Sequence, residues 1–142
     1  LGDAVRDMAK AAGLRIIDER VPFASSSATV AGKAQMYVDG YFARPTIDTA
    51  IYPFYHSSGS WNKQLWIYKD TRVDQLLDEA RKTNDEAARK KIFEKFQEVA
   101  EETVPGIIAY SAAHVNGVSK KVEGFKSTPM QWLELKNVSI KP

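Results

Sequence analysis

Cysteine is absent from this 142-residue chain, which excludes disulfide bonds and thiol chemistry. That absence leaves the compartment open, because a periplasmic protein needs no cysteine. No run of about 18 apolar residues is present, so the sequence predicts no membrane insertion. Neither sign of charge dominates: the chain has 20 Lys and Arg and 18 Asp and Glu, which gives a net charge of +2. Such a mixture gives no basic field for nucleic acid.

Patterns typical of catalysis and cofactor binding are also missing. Gly59 stands alone in its turn, so there is no glycine-rich phosphate loop, and no G-x-S-x-G motif occurs. His56 and His114 are the only histidines and lack metal-site spacing. Serines follow His56 on the same loop: Ser57, Ser58 and Ser60. Neighbours on a loop rarely face each other productively, so a hydrolase is the weakest hypothesis. We expect no catalytic residue, no metal and no cofactor.

The composition predicts one globular domain over residues 1–142. Hydrophobic residues make up 44% and charged residues 27%, close to ordinary globular usage. The chain begins at Leu1 without an initiator methionine or a signal segment, so we expect it to be a fragment of a longer protein.

The hydrophobic periodicity predicts alternating helices and strands. Asp3 is a candidate cap for a first helix that Gly13 closes. Branched and aromatic runs predict short strands at 14–21, 36–42, 107–112, 122–126 and 132–138. Residues 25–32 are small and polar, which fits either a loop or a weak helix, and residues 45–54 fit a short helix.

Two further helices have clear signals at both ends. Asp70 is a candidate N-cap for the first of these helices. Either Thr83 or Asp85 is the candidate N-cap for the second helix, which Pro105 ends. The predicted fold class is therefore α/β, with a central mixed sheet flanked by helices.

Aromatic side chains are concentrated between residues 37 and 68, where nine of them occur: Tyr37, Tyr41, Phe42, Tyr52, Phe54, Tyr55, Trp61, Trp66 and Tyr68. Aromatic rings with a few polar groups line small-molecule pockets, and they also pack cores. Density alone does not separate these two roles.

Several of these segments together resemble a known family. The segments are D-G-Y-F-A-R-P-T-I-D, F-Y-H-S-S-G-S-W-N, V-D-Q-L-L-D-E-A-R and the helix that ends before Pro105. They are similar to the C-terminal lobe of the family 5 extracellular solute-binding proteins, the receptors of peptide, nickel and opine ABC transporters. The resemblance implies the C-terminal lobe of a bilobed, type II periplasmic-binding-protein fold. It also implies a periplasmic location, or an extracellular lipid-anchored one in a Gram-positive source.

The implied function is capture of a peptide-like or opine-like solute between two lobes and its delivery to membrane permease subunits. The implied partners are the solute, the permease and the N-terminal lobe of the same protein. The family pattern G-W-x-A-D corresponds here to residues 40–44, so Tyr41 takes the aromatic position and Arg44 reverses the charge of the aspartate. Because a guanidinium binds carboxylates, an anionic ligand is expected. The expected ligand-binding residues are Tyr41, Phe42, Arg44 and Trp61.

Asp48 and Asn62 are expected to fix their loops, Asn62 through side-chain to backbone hydrogen bonds. An alternative for Arg44 is a structural bond to Asp48 or to a backbone carbonyl, without contact to the ligand. An alternative for the whole chain is the ligand-sensing domain of a transcription regulator with a solute-binding-like fold. A signal peptide upstream would favour the receptor, and a helix-turn-helix would favour the regulator.

Overall fold

Helices dominate the structure. The computed structural model describes residues 1–130 and 132–141, and 43% of the chain is helical. The α-helices of this described part are α1 (Gly2–Ala11), α2 (Phe23–Thr29), α3 (Ile47–Tyr55), α4 (Thr71–Lys82) and α5 (Glu86–Thr103). A π-helical turn, Asn62–Trp66, lies between α3 and α4. None of the described helices has the length and apolar character needed to cross a bilayer.

The N-termini of α4 and α5 are capped by carboxylates, as the sequence predicted. Asp70 accepts a hydrogen bond from the backbone N–H of Arg72 at 2.8 Å, and Asp85 accepts one from Ala88 at 2.7 Å. Of the two candidates for the second cap, Asp85 therefore takes the role and Thr83 does not. Each such cap satisfies a backbone donor that the helix leaves free.

The end of α5 is also confirmed at the residue before Pro105. Val104 has φ 44° and ψ 57°, a left-handed conformation, and its N–H still donates to the carbonyl of Ala100 at 2.9 Å. A following proline disfavours helical geometry at the preceding residue, which explains why the helix stops here. The left-handed conformation is costly for a β-branched side chain.

The core lies between α3, α4 and α5. Its buried centre is Val73 and Leu77 of α4 with Phe96 of α5, the faces that the periodicity predicted. Partly buried side chains surround it: Ile51, Tyr52, Tyr55, Tyr68, Leu76, Phe93, Val99 and Ala100. Fully burying one leucine or phenylalanine stabilises a fold by about 1.5–3 kcal/mol, so this small cluster holds the three helices together.

The predicted α/β fold, with its central mixed sheet in a type II lobe, is wrong. The described residues contain a single two-stranded antiparallel sheet, β1 (Val122–Glu123) with β2 (Ser139–Ile140). The predicted strands at 14–21, 36–42, 107–112 and 132–138 form no ladder, and 122–126 contains only β1. Branched residues favour strands only where a neighbouring strand and a buried face are available.

The N-terminal region follows the prediction in part. α1 forms and is followed by Gly13 at φ +79°, but it contains no buried residue. Asp3 does not cap α1, because the helix begins at Gly2 and Asp3 already lies inside its first turn; its carboxylate binds Arg20 at 2.7 Å and Arg6 at 2.9 Å. The polar stretch 25–32 contains most of α2, so the helical alternative holds there.

Candidate functional site

Three aromatic rings surround Phe54, which is buried on α3. Tyr41 meets it edge-on with ring centroids 4.6 Å apart, and Trp61 lies nearly parallel to it at 6.2 Å. Trp66 contacts it from a third direction at 5.9 Å. Tyr41 is 52% exposed and Trp61 43% exposed, whereas Phe54 is 7% exposed. We call the group formed by Tyr41, Phe54 and Trp61 the Phe54 surface: a buried ring with two half-exposed rings beside it.

A cation lies at the edge of this surface. The hydroxyl of Tyr41 donates to the backbone carbonyl of Ala50 on α3, which ties the ring to the helix. Burial raises the pKa of Tyr41, and the positive charge and hydrogen bond of Arg44 oppose that rise. Arg44 is itself exposed, so the guanidinium that acts on the Tyr41 hydroxyl is open to solvent.

Asp48, one of the two structural partners considered for Arg44, is bound by another residue. Arg81 binds both carboxylate oxygens of Asp48, at 2.7 and 2.9 Å, and so links α4 to the first turn of α3. The same guanidinium lies 3.2 Å above the ring centre of Tyr52. Asp48 therefore anchors the start of α3 through Arg81 and not through Arg44.

The loop that carries Trp61 is closed by Asn62, which is 1% exposed. Its amide nitrogen donates to the carbonyls of His56 at 2.9 Å and Tyr68 at 2.8 Å, and its amide oxygen accepts from the N–H of Tyr68 at 2.7 Å. These are the side-chain to backbone bonds expected of Asn62. The N–H of Trp61 also donates to the carbonyl of Pro53 at 3.1 Å, so its position relative to α3 is fixed.

Phe42 does not share the ring contacts of Tyr41 and Trp61. It is 56% exposed, and within the described part of the chain it makes no aromatic ring contact. The structure thus brings Tyr41 and Trp61 together around Phe54, places Arg44 near the Tyr41 hydroxyl and leaves Phe42 outside these ring contacts. The roles of all four residues in ligand binding remain predictions.

Apart from the Phe54 surface, a cluster of polar side chains surrounds His56, which is 8% exposed. Its Nδ1 accepts from the backbone N–H of Ser58 at 3.0 Å and lies 2.7 Å from the hydroxyl of that serine. Ser57 bonds Asp74 with both its N–H, at 2.7 Å, and its hydroxyl, at 2.5 Å. The loop is thereby fastened to α4. Nε2 of the imidazole lies 3.4 Å from a carboxylate oxygen of Asp78 and has no hydrogen-bond partner among the described residues.

The His56 cluster was missed from the sequence, although a signal for it exists. Asp74 and Asp78 are four residues apart, which places both carboxylates on one face of α4, opposite the H-S-S turn. The Ser58 hydroxyl does reach His56, contrary to the expectation for loop neighbours. However, both donors of Ser58 share one ring nitrogen, which is the geometry of a local turn closed by histidine.

The described residues contain no group of three or more His, Asp or Glu side chains placed to hold a metal ion. Comparison of the chain with models of protein families, with curated proteins and with solved structures found no match.

Proposed function

We propose that this chain binds a small anionic, peptide-like or opine-like solute at the Phe54 surface, as the capturing component of an ABC importer. The observation that carries the proposal is one exposed cation, Arg44, next to the half-exposed ring of Tyr41, which packs on the same buried Phe54 as the half-exposed ring of Trp61. Flat rings remove water from the apolar part of a ligand, and a guanidinium takes a carboxylate through two parallel hydrogen bonds.

The geometry supports recognition from one side only. Tyr41 and Trp61 are open to solvent, so a solute on the Phe54 surface keeps much of its own area in water. Binding to the chain alone is therefore weak, because closed sites bury most of a ligand. In the proposed role the N-terminal lobe of the same protein covers the solute, and the closed form delivers it to permease subunits.

The importer role rests on the resemblance of the Asn62 turn and of the α4 and α5 sequences to family 5 solute-binding proteins. A periplasmic or lipid-anchored extracellular location belongs to the same proposal. The transport role and the location thus come from the resemblance, and the expected ligand class comes from the side chains of the Phe54 surface and Arg44.

The proposal is tested by nuclear magnetic resonance titration, which detects weak binding. The probes are N-benzoylglycine and its uncharged amide, which share the ring and differ in the carboxylate. We expect the carboxylate to shift the Trp61 indole and Arg44 Nε signals and to bind at least about tenfold more tightly than the amide, as for a charge-assisted pair.

The matched variants are Arg44→Glu and Arg89→Glu, the second on the exposed side of α5. Breaking the charge pair should cost over about 2 kcal/mol of binding free energy in Arg44→Glu and leave Arg89→Glu unchanged. Equal affinity for both probes, or equal losses in both variants, would contradict the proposal.

A further inference from the structure

One asparagine of this chain is followed by glycine. The asparagine dipeptides of the sequence are Asn62-Lys63, Asn84-Asp85, Asn116-Gly117 and Asn137-Val138. The main-chain nitrogen of the next residue can attack an asparagine side chain, because the product is an unstrained five-membered ring. Glycine leaves this nitrogen the most accessible, since it has no Cβ and its backbone is the least restricted. Asn116 is therefore the asparagine at which the sequence favours this reaction.

The structure leaves the nitrogen of Gly117 free to move. Asn116 and Gly117 are both exposed and lie outside the described helices and strands. The N–H of Gly117 donates to no acceptor among the described residues. A Cβ added at Gly117 would have no neighbour within 4 Å, so the space around this peptide is open. The nitrogen can therefore approach the Asn116 side chain without losing a main-chain hydrogen bond.

Two other asparagines are protected by a hydrogen bond of the residue that follows them. The N–H of Lys63 donates to the carbonyl of Gly59 at 3.2 Å, and the N–H of Val138 donates to the carbonyl of Leu135 at 3.1 Å. An attack by either nitrogen would have to break its bond first. Asn62 is in addition only 1% exposed, so solvent does not reach it.

Asn84 is the matched comparison within the same chain. It is exposed, and the N–H of Asp85 makes no main-chain hydrogen bond in the described part of the chain. Asp85, however, has a side chain whose carboxylate accepts from the N–H of Ala88 at 2.7 Å and so caps α5. This cap fixes the backbone of Asp85, and its Cβ crowds the approach to Asn84. Asn84 should therefore react much more slowly than Asn116.

The side chain of Asn116 is held by one weak contact. Its amide nitrogen donates to the hydroxyl of Ser127 at 2.8 Å, and both residues are exposed. Water replaces such a bond at little cost, so the amide can turn towards the Gly117 nitrogen. Neither reacting group is thus restrained by the fold.

We propose that Asn116 is a site of spontaneous deamidation and isomerisation, at which the main-chain nitrogen of Gly117 is the nucleophile. This nitrogen gives up its proton to a base in the solvent and forms a bond to Cγ of Asn116. The bond from Cγ to Nδ2 then breaks, and Nδ2 leaves as ammonia after taking a proton from the solvent. Water opens the cyclic imide at either of its two carbonyl carbons, which gives an aspartyl or an isoaspartyl residue. Water is the one co-reactant, and no group is oxidised or reduced.

The reaction changes the charge and the hydrogen bonding of residues 106–118. This exposed segment contains no Asp, Glu, Lys or Arg, so the new carboxylate gives it a negative charge and lowers the net charge of the chain by one from +2. A carboxylate cannot donate to the Ser127 hydroxyl as the amide does. In the isoaspartyl product the main chain also runs through Cβ and Cγ, which lengthens it by one carbon atom.

Peptide mapping by mass spectrometry tests the proposal on the wild-type chain after incubation in neutral and in mildly alkaline buffer. The peptide that contains Asn116 should gain the mass difference between an amide and an acid at least about tenfold faster than the peptide that contains Asn84. It should separate into two products of equal mass, the aspartyl and the isoaspartyl form. The rate should rise with pH, because a base removes the proton of Gly117.

A glycine variant identifies the nucleophile. Gly117→Ala should slow the conversion at least about tenfold, and the open space around Gly117 accommodates the added Cβ. The matched control is Gly40→Ala, another exposed glycine with open space, which should leave the rate unchanged. Three results would overturn the proposal: conversion of Asn84 ahead of Asn116, an unchanged rate in Gly117→Ala, or an aspartyl product without the isoaspartyl form. The last result would mean direct hydrolysis of the amide by water.

Discussion

Replacing Asn62 with alanine should lower the free energy of unfolding by about 3 kcal/mol, because two part-buried backbone groups lose their partners. The N–H and C=O of Tyr68 bond the Asn62 amide at 2.7 and 2.8 Å. The carbonyl of His56 loses its bond of 2.9 Å but keeps the N–H of Gly59 at 2.8 Å, so its loss is smaller. About 1 kcal/mol for each Tyr68 group and about 1 kcal/mol for the remaining bond and packing give the total.

Urea unfolding followed by far-ultraviolet circular dichroism measures this loss. The midpoint should fall and the slope should stay constant, because the surface exposed on unfolding is unchanged. The matched control is Asn84→Ala, at an exposed asparagine between α4 and α5, which should stay within about 0.5 kcal/mol of the wild type.

A second variant separates hydrogen bonding from volume. Asn62→Asp keeps the shape and the acceptor for the Tyr68 N–H, but it loses both donors and adds a buried charge. Its loss should be at least as large as that of the alanine variant. A loss under about 1 kcal/mol in either variant would refute the reasoning, because it would mean that water replaces the amide at no cost.

Three further changes test the backbone and the helix termini. Gly59→Ala should lower the free energy of unfolding by about 2 kcal/mol, because the added Cβ would meet the backbone carbonyl of Pro53. Gly40 has open space around it, so Gly40→Ala should cost less than about 0.5 kcal/mol in the same urea assay. Val104→Gly should raise the free energy of unfolding by about 1 kcal/mol, because glycine adopts the left-handed conformation without strain. A lower free energy of unfolding in this variant would contradict the prediction. Hydrogen bonds from Arg72 lower the pKa of Asp70, so its contribution is present above about pH 4 and is lost as the pH falls through the folded pKa. Asp70→Asn should therefore flatten the decline of stability in acid, and an unchanged acid profile would exclude this origin.

The helices could be predicted because their signals are local. The caps Asp70 and Asp85, the stop before Pro105 and the buried face of α4 all lie within a few residues of what they control. The bonds of Asn62 were likewise expected, since its partners lie six residues away on either side.

The sheet could not be predicted because a strand depends on a distant partner. Ile107 and Ile108 satisfy every local preference for a strand, and yet nothing in the described chain pairs with them. The Phe54 surface was foreseeable only in part. Tyr41 and Trp61 were named as ligand residues and Phe54 was counted in the same aromatic stretch, but aromatic density alone could not show that the buried ring of Phe54 lies between them.

Asn62 fixes the loop that carries Trp61 through main-chain hydrogen bonds, so this fixation does not depend on which side chains the loop carries. The Asn62 side chain bonds main-chain atoms of Tyr55, His56 and Tyr68, and every residue type except proline offers the same main-chain atoms. Trp61 can therefore change without opening the loop. A library randomised at Tyr41, Arg44 and Trp61 should consequently yield folded proteins with altered ligand preference, which makes this loop a natural starting point for engineered biosensors.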